Sequence, residues 1–196
     1  IQLLADIPPT TFAFSRLSTF SDGGCAVVFK KTDERFFVER FSATGASLWR
    51  REIGFLDTVT SLNEGPDGQT FYTVVDPPFS GPNPTNGIAA AIATDGSVVF
   101  EKHLNSLFGQ FSVFPSYILP LPDGSAVLVG SEAPILGVGP SFFAAKLDAA
   151  GQIIWKKKYH YFHNGAAFAF GKTTPDKGFI FTGSSDGKVF LFKIDQ

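Results

Sequence analysis

FFAAKLDAAGQIIWKKKY, residues 142–159, is the stretch on which the fold turns. It reads as an outer β-hairpin: an apolar strand, a turn closed by Gly151, and a second strand carrying Trp155 four residues beyond that glycine. The same frame returns at residues 36–53, FFVERFSATGASLWRREI, with Gly45 and Trp49, and at 89–104, AAAIATDGSVVFEKHL, with Gly96 and Phe100. A fourth copy opens at Lys188, KVFLFKIDQ, without the glycine turn. The bulky ring after each glycine is read as packing between neighbouring units, not as a stacking platform for a ligand.

A second mark keeps phase with the first. A turn with Asp and Gly precedes an apolar strand at SDGGCAVVF, PDGQTFYTVV, PDGSAVLVG and PDKGFIFTG. Its aspartates are Asp22, Asp67, Asp123 and Asp176, in steps of 45, 56 and 53 residues. That period fits one four-stranded propeller blade. The first unit divides into strands at 11–20, 24–31, 35–41 and 47–53; the second at 58–62, 70–75, 88–93 and 97–103; the third at 114–121, 126–130, 142–147 and 152–159. The fourth has only three, at 166–172, 179–183 and 188–194. The second strand of each unit is a nearly unbroken apolar run, as expected where both faces are covered.

The expected fold is therefore all-β: one domain over 1–196, a β-propeller of four four-stranded blades at about 11–54, 57–104, 114–160 and 166–196. Residues 1–7, IQLLADI, are spare, and the last unit lacks a strand. We expect the N-terminal strand to complete the last blade and close the ring, which would remove two sheet edges. The alternative is an open half of a larger propeller.

Composition bounds the function. With 44% apolar and 17% charged residues there is ample material for a core. A net charge of -2 argues against nucleic acid as a partner, because neutralising phosphates needs a basic excess. The run Lys156-Lys157-Lys158 reads as the solvated, edge-protecting face of a strand. Cys25 is the one cysteine, so an intrachain disulfide and a cysteine-rich metal site are excluded; it reads as a small buried hydrophobe. No apolar stretch approaches the roughly 18 residues of a membrane span.

On Asp22, Gly23 and Gly24, and on Lys146, Leu147, Asp148, Gly151, Trp155, Lys157 and Tyr159, the chain resembles bacterial β-propeller repeats. Through Thr44, Gly45 and Trp49 it is similar to the tryptophan-docking repeat of the quinoprotein-dehydrogenase-like propellers. The resemblance implies blade architecture repeat by repeat. It does not bring a cofactor: those enzymes resemble an eight-bladed ring with adjacent cysteines and a calcium site, whereas this chain has one cysteine and four units. The resemblance, with the missing initiator Met, leads us to expect an extracellular or periplasmic setting.

Motifs that carry chemistry are few. There is no G-x-S-x-G, H-E-x-x-H, Walker or EF-hand pattern. His160 and His163 would chelate a metal only across a turn, since residues three apart on a strand face opposite sides. Acidic pairs such as Asp33-Glu34, and Glu64 near Asp67, fall at turns. No cofactor, no metal and no catalytic residue are expected, and the chain is read as a non-enzyme.

The long connections hold what remains. They fall at 76–87, 103–115, 132–140 and 159–165, on the face opposite the glycine turns, and they are rich in exposed-type apolar side chains. The leading expectation is a non-catalytic binding or scaffold module, a subunit of a larger assembly, that contacts a protein partner through Phe79, Phe108, Phe111, Ile135, Leu136, Tyr161 and Phe162. The other class is a carbohydrate-binding or glycan-hydrolysing propeller using Asp76, Glu132 and Tyr161.

Overall fold

The computed structural model describes residues 11–31, 35–55, 58–76, 86–105, 111–134, 141–159, 167–185 and 187–195. The construction starts at the turns. Six of them share one pattern: the first residue donates its N–H to the carbonyl four residues on, and the residue at the fourth position donates back to the carbonyl of the first. Phe20 with Gly24 and Gly23, Ser42 with Ala46 and Gly45, and Asp148 with Gln152 and Gly151 are examples. The fourth position needs a left-handed backbone, and Gly23, Gly45, Gly96, Gly124 and Gly151 supply it at φ between +73° and +86°. The first turn of the fourth unit breaks the rule, with Lys177 at φ +63°. The second unit's first turn is a short 3-10 turn, Pro66–Gly68.

Among the described residues these turns join fifteen strands into four antiparallel sheets. Sheet 1 is β1 (Thr11–Thr19), β2 (Cys25–Lys31), β3 (Arg35–Phe41) and β4 (Ser47–Phe55), in that spatial order. Sheet 2 is β5 (Thr58–Glu64), β6 (Thr70–Asp76), β7 (Asn86–Ile92) and β8 (Val98–His103). Sheet 3 is β9 (Phe111–Pro120), β10 (Ala126–Pro134), β11 (Ser141–Leu147) and β12 (Ile153–Tyr159). Sheet 4 has three strands, β13 (Ala167–Thr173), β14 (Phe179–Ser185) and β15 (Lys188–Ile194). The predicted units and strands thus exist, with ends moved by a few residues.

Alternation along each strand builds the core. In sheet 1, Ala26, Val28, Phe36 and Val38 face sheet 2 and meet Val59, Tyr72, Val74 and Ile92. Sheet 2 turns Phe71, Ala89, Ala91 and Phe100 toward Ile118, Leu128 and Phe143 of sheet 3. Sheet 3 turns Val127, Val129 and Phe142 toward Phe168, Phe179 and Phe181 of sheet 4. Alanines in β7 and β11 let the sheets approach closely.

The aromatic after each glycine turn docks on the following sheet. A Cβ on Gly96 would stand 3.0 Å from Trp49 Cβ and Cγ, and one on Gly151 would stand 2.6 Å from Phe100 Cδ2. Trp49 and Phe100 therefore lie against the bare backbone of the next unit's turn. Trp155 has no such glycine beneath it, since β15 is the last described strand of its sheet; it packs in the sheet 3–sheet 4 core beside Tyr159 and Phe192.

The expected closed ring is not what the described residues form. Sheets 1 to 4 pack each on the next, but sheet 4 does not pack on sheet 1 in that manner. The outward face of sheet 4 is open, with Val189 84% and Leu191 72% exposed, while the outward face of sheet 1 is closed, with Phe29 0% and Phe37 7% exposed. The array is propeller-like and open. The pairing expected for residues 1–7 lies outside the described residues.

Candidate functional site at the sheet axis

The inner strands β1, β5, β9 and β13 converge on a solvent-open cleft of about 330 Å³. An inner strand has a sheet partner on one side only, so its other edge presents bare N–H and C=O groups. Here side chains of the neighbouring strand bond to that edge. Arg16 Nε of β1 donates to Thr60 O of β5 at 3.2 Å. Asn63 Nδ2 of β5 donates to Ile118 O of β9 at 2.8 Å, and Ile118 N donates to Ser61 Oγ at 3.2 Å. Tyr117 of β9 donates its hydroxyl to Asn63 Oδ1 at 3.0 Å.

Behind this layer, Thr73 Oγ1 lies 2.7 Å from both Thr60 Oγ1 and Ser61 Oγ, which fixes the two hydroxyls. Burial pushes the Tyr117 hydroxyl above its ordinary pKa, and the Gly171 main chain beside it acts the other way. Two side chains at the cleft break the polar pattern: Leu17 is 65% and Phe170 56% exposed. The Phe170 ring lies 6.2 Å from that of Tyr117. The cleft is lined by Arg16, Leu17, Ser18, Thr60, Asn63 and Phe170 among others, and no carboxylate or imidazole is among its described lining residues. Its hydroxyls have no base beside them, so the arrangement can hold a ligand by hydrogen bonds and apolar contact.

None of the residues expected to bind a partner is in this described lining. The strand ends that lead into the long connections, at Asp76, His103, Pro134 and Tyr159, lie opposite the glycine turns, as expected from the meander. Phe79, Phe108, Ile135, Leu136, Tyr161 and Phe162 lie outside the described residues, as do His160 and His163. Phe111 opens β9, its backbone paired with Pro134. Asp76 ends β6 opposite Asn86.

Three expectations are corrected. Glu132 is not a loop carboxylate: it sits in β10, 1% exposed, and is bonded to Lys156 Nζ at 2.8 Å and to Lys158. Accordingly Lys156 and Lys158 are not merely solvated edge residues but counter-ions to a buried charge; burial pushes Lys156 down and Glu132 partly restores it. Glu39 of sheet 1 is the parallel case, buried and bonded to Arg50 at 2.7 Å and to Ser47 at 2.6 Å. Cys25 is half-buried rather than fully inside. Among the described residues no cluster of three or more His, Cys, Asp or Glu could hold a metal ion.

The axial residues were overlooked because their strands, read alone, show only ordinary Ser, Thr and Asn. The signal available was the alternation of polar Ser61 and Asn63 about apolar Leu62, which puts two polar side chains on one face of the strand.

No family model matches the chain, and no curated protein matches it. Among solved structures it is similar to a protein of unknown function from Bacteroides caccae, at 10% identity over 96% of this chain and 80% of that one, TM-score 0.45. It is similar also to a puromycin hydrolase, at 18% identity, TM-score 0.50. In that case 94% of this chain is covered but only 30% of the other, so an all-β array of this kind also occurs within a larger protein.

Proposed function

We propose that this chain is a non-catalytic binding module, built on four propeller-like sheets, that holds a protein partner at the axial cleft. The observation that carries the reading is the cleft's lining: hydroxyl and amide groups of Thr60, Ser61, Asn63 and Tyr117 fixed on two inner strands, with exposed Leu17 and Phe170 beside them and no acid or imidazole among the described lining residues. Such a surface grips an apolar side chain and bonds the polar backbone around it. Partner contacts through Phe79, Phe108, Phe111, Ile135, Leu136, Tyr161 and Phe162 belong to the same proposal.

The test is co-purification from the native source followed by direct binding to the partner so identified. Leu17→Asp with Phe170→Asp should weaken binding at least tenfold while far-UV circular dichroism is unchanged; both side chains are exposed, so the fold should tolerate them. Phe108→Ala with Phe162→Ala forms the second arm. Full binding by both variants, or a glycan array that lights up in place of any protein, would overturn the reading.

A further inference from the structure

Two non-glycine residues among those described hold a left-handed backbone, Asp67 at φ +54° and Lys177 at φ +63°. That conformation is costly for a residue with a side chain, and glycine stands at the place of Lys177 in the five matching turns. Both residues are exposed, they carry opposite charges, and each lies in the first turn of its unit.

The first turns of neighbouring units leave recesses between them. The recess between units one and two, about 510 Å³, is lined by Asp22, Glu64, Asp67 and Thr94 among others. The next, about 300 Å³, is lined by Pro66, Pro120, Leu121 and Pro122. The third, about 360 Å³, is lined by Asp123, Lys146, Thr173 and Lys177. Neighbouring recesses share wall residues, Glu64 and Pro66 at one junction and Leu121 and Pro122 at the other, so the three run in series.

Comparison of the units shows how each end gets its charge. Asp22 is bonded to Arg40 of the third strand at 2.7 Å, and Asp176 to Lys193. In unit three Lys146 holds that position and its charge acts on Asp123. The strand registers put Ala91 at the equivalent place in unit two, so Asp67 has no such cation. Glu64 adds a second carboxylate, whose partner is neutral: it accepts from the Ser21 N–H at 2.9 Å and hydroxyl at 2.6 Å. At the far end Lys146 answers Asp123, while Asp176 is held by Lys193 and Thr174, which leaves Lys177 as the surplus charge.

We propose that the turn end binds an extended segment of a protein partner, with a basic side chain at Asp67 and Glu64, an apolar side chain against the prolines, and an acidic side chain at Lys177. Prolines present no N–H, so the middle recess suits an apolar group. Opposite charges at the two ends argue against nucleic acid or an anionic membrane, which one end would attract and the other repel. Packed sheets lie about 10 Å apart, so the outer recesses are about 20 Å apart and an extended chain joins them in about six residues. The strained backbone at Lys177 then has a use, since the glycine that would relieve it would also remove the charge.

The probe is a library of end-blocked fluorescent peptides carrying one basic and one acidic residue about six positions apart, in either order, with apolar residues between. It is titrated against the purified chain by fluorescence anisotropy. Members of the library should bind, and more weakly in high salt. Asp67→Asn, a residue that tolerates the left-handed backbone, and Lys177→Gly should each weaken binding at least about threefold. Lys177→Gly should raise the urea midpoint at the same time, which separates lost charge from lost fold. The Leu17→Asp, Phe170→Asp variant should bind the peptides as the unaltered chain does, so the result stands apart from the axial cleft. The proposal is overturned if no member binds, if peptides with two like charges bind as well, or if Asp67→Asn and Lys177→Gly change nothing. Loss of binding in the cleft variant alone also overturns it, and assigns the peptides to the axial cleft.

Discussion

At the residue scale, the six matching turns make a set of internal controls. Five place glycine where the backbone turns left-handed; the sixth places Lys177 there, at φ +63°. A side chain in that conformation costs roughly 1–2 kcal/mol, and part of it returns because glycine loosens the unfolded chain. Lys177→Gly should therefore stabilise the protein by about 0.5–1 kcal/mol in urea unfolding. Gly151→Ala should do the reverse and more, because its Cβ meets both a φ of +73° and the Phe100 ring at 2.6 Å. Equal behaviour of the two substitutions would mean that the turns are not equivalent.

At the element scale, each sheet is held to the next by a ring inserted between them. Phe100 is 4% exposed, in edge contact with Phe71 and against Gly151. Phe100→Ala removes a buried ring that the packed alanines around it cannot replace. It should cost about 3–5 kcal/mol, seen as a lower denaturant midpoint. Trp49→Ala should cost less, since Trp49 is only partly buried. The buried Glu132 is a different kind of tie. Its partners Lys156 and Lys158 are 19% and 38% exposed, so they can turn to solvent when the carboxylate is removed. The loss for Glu132→Ala is then nearer 1–2 kcal/mol than the full cost of stranding a buried charge.

At the scale of the whole molecule, the turn aspartates act together. Asp22 is held below its ordinary pKa by Arg40, Asp95 by Ser97, Asp123 by Ser125 and Asp176 by Lys193. A carboxyl whose folded pKa lies below its unfolded value of 3.8 stabilises the fold above that value, and loses this contribution as the pH falls through the folded pKa. The thermal midpoint should stay level from neutral pH to about 4 and fall below it. Asp123→Asn should flatten that fall. A midpoint that dropped already between pH 7 and 5 would place the sensitivity in other groups.

The repeated hairpins, the turn chemistry and the number of units were legible in the sequence because they are local: a glycine, an aspartate and a ring at fixed spacing dictate a strand, a turn and a packing side within a dozen residues. The unbroken apolar runs likewise marked β2 and β10 as strands covered on both faces. What faces what across the array was not legible. Whether Glu132 lies in a loop or under two lysines, whether Ser61 and Asn63 bond a neighbouring strand, and whether sheet 4 meets sheet 1 all depend on groups more than twenty residues apart or on the angle between sheets. Sequence alone determined that this chain would be a series of β-sheets stitched by glycine turns, because backbone stereochemistry and strand alternation act between neighbours. Only the tertiary structure decided that the described sheets form no closed ring and gather polar side chains at the axis, because those outcomes rest on how whole sheets stack.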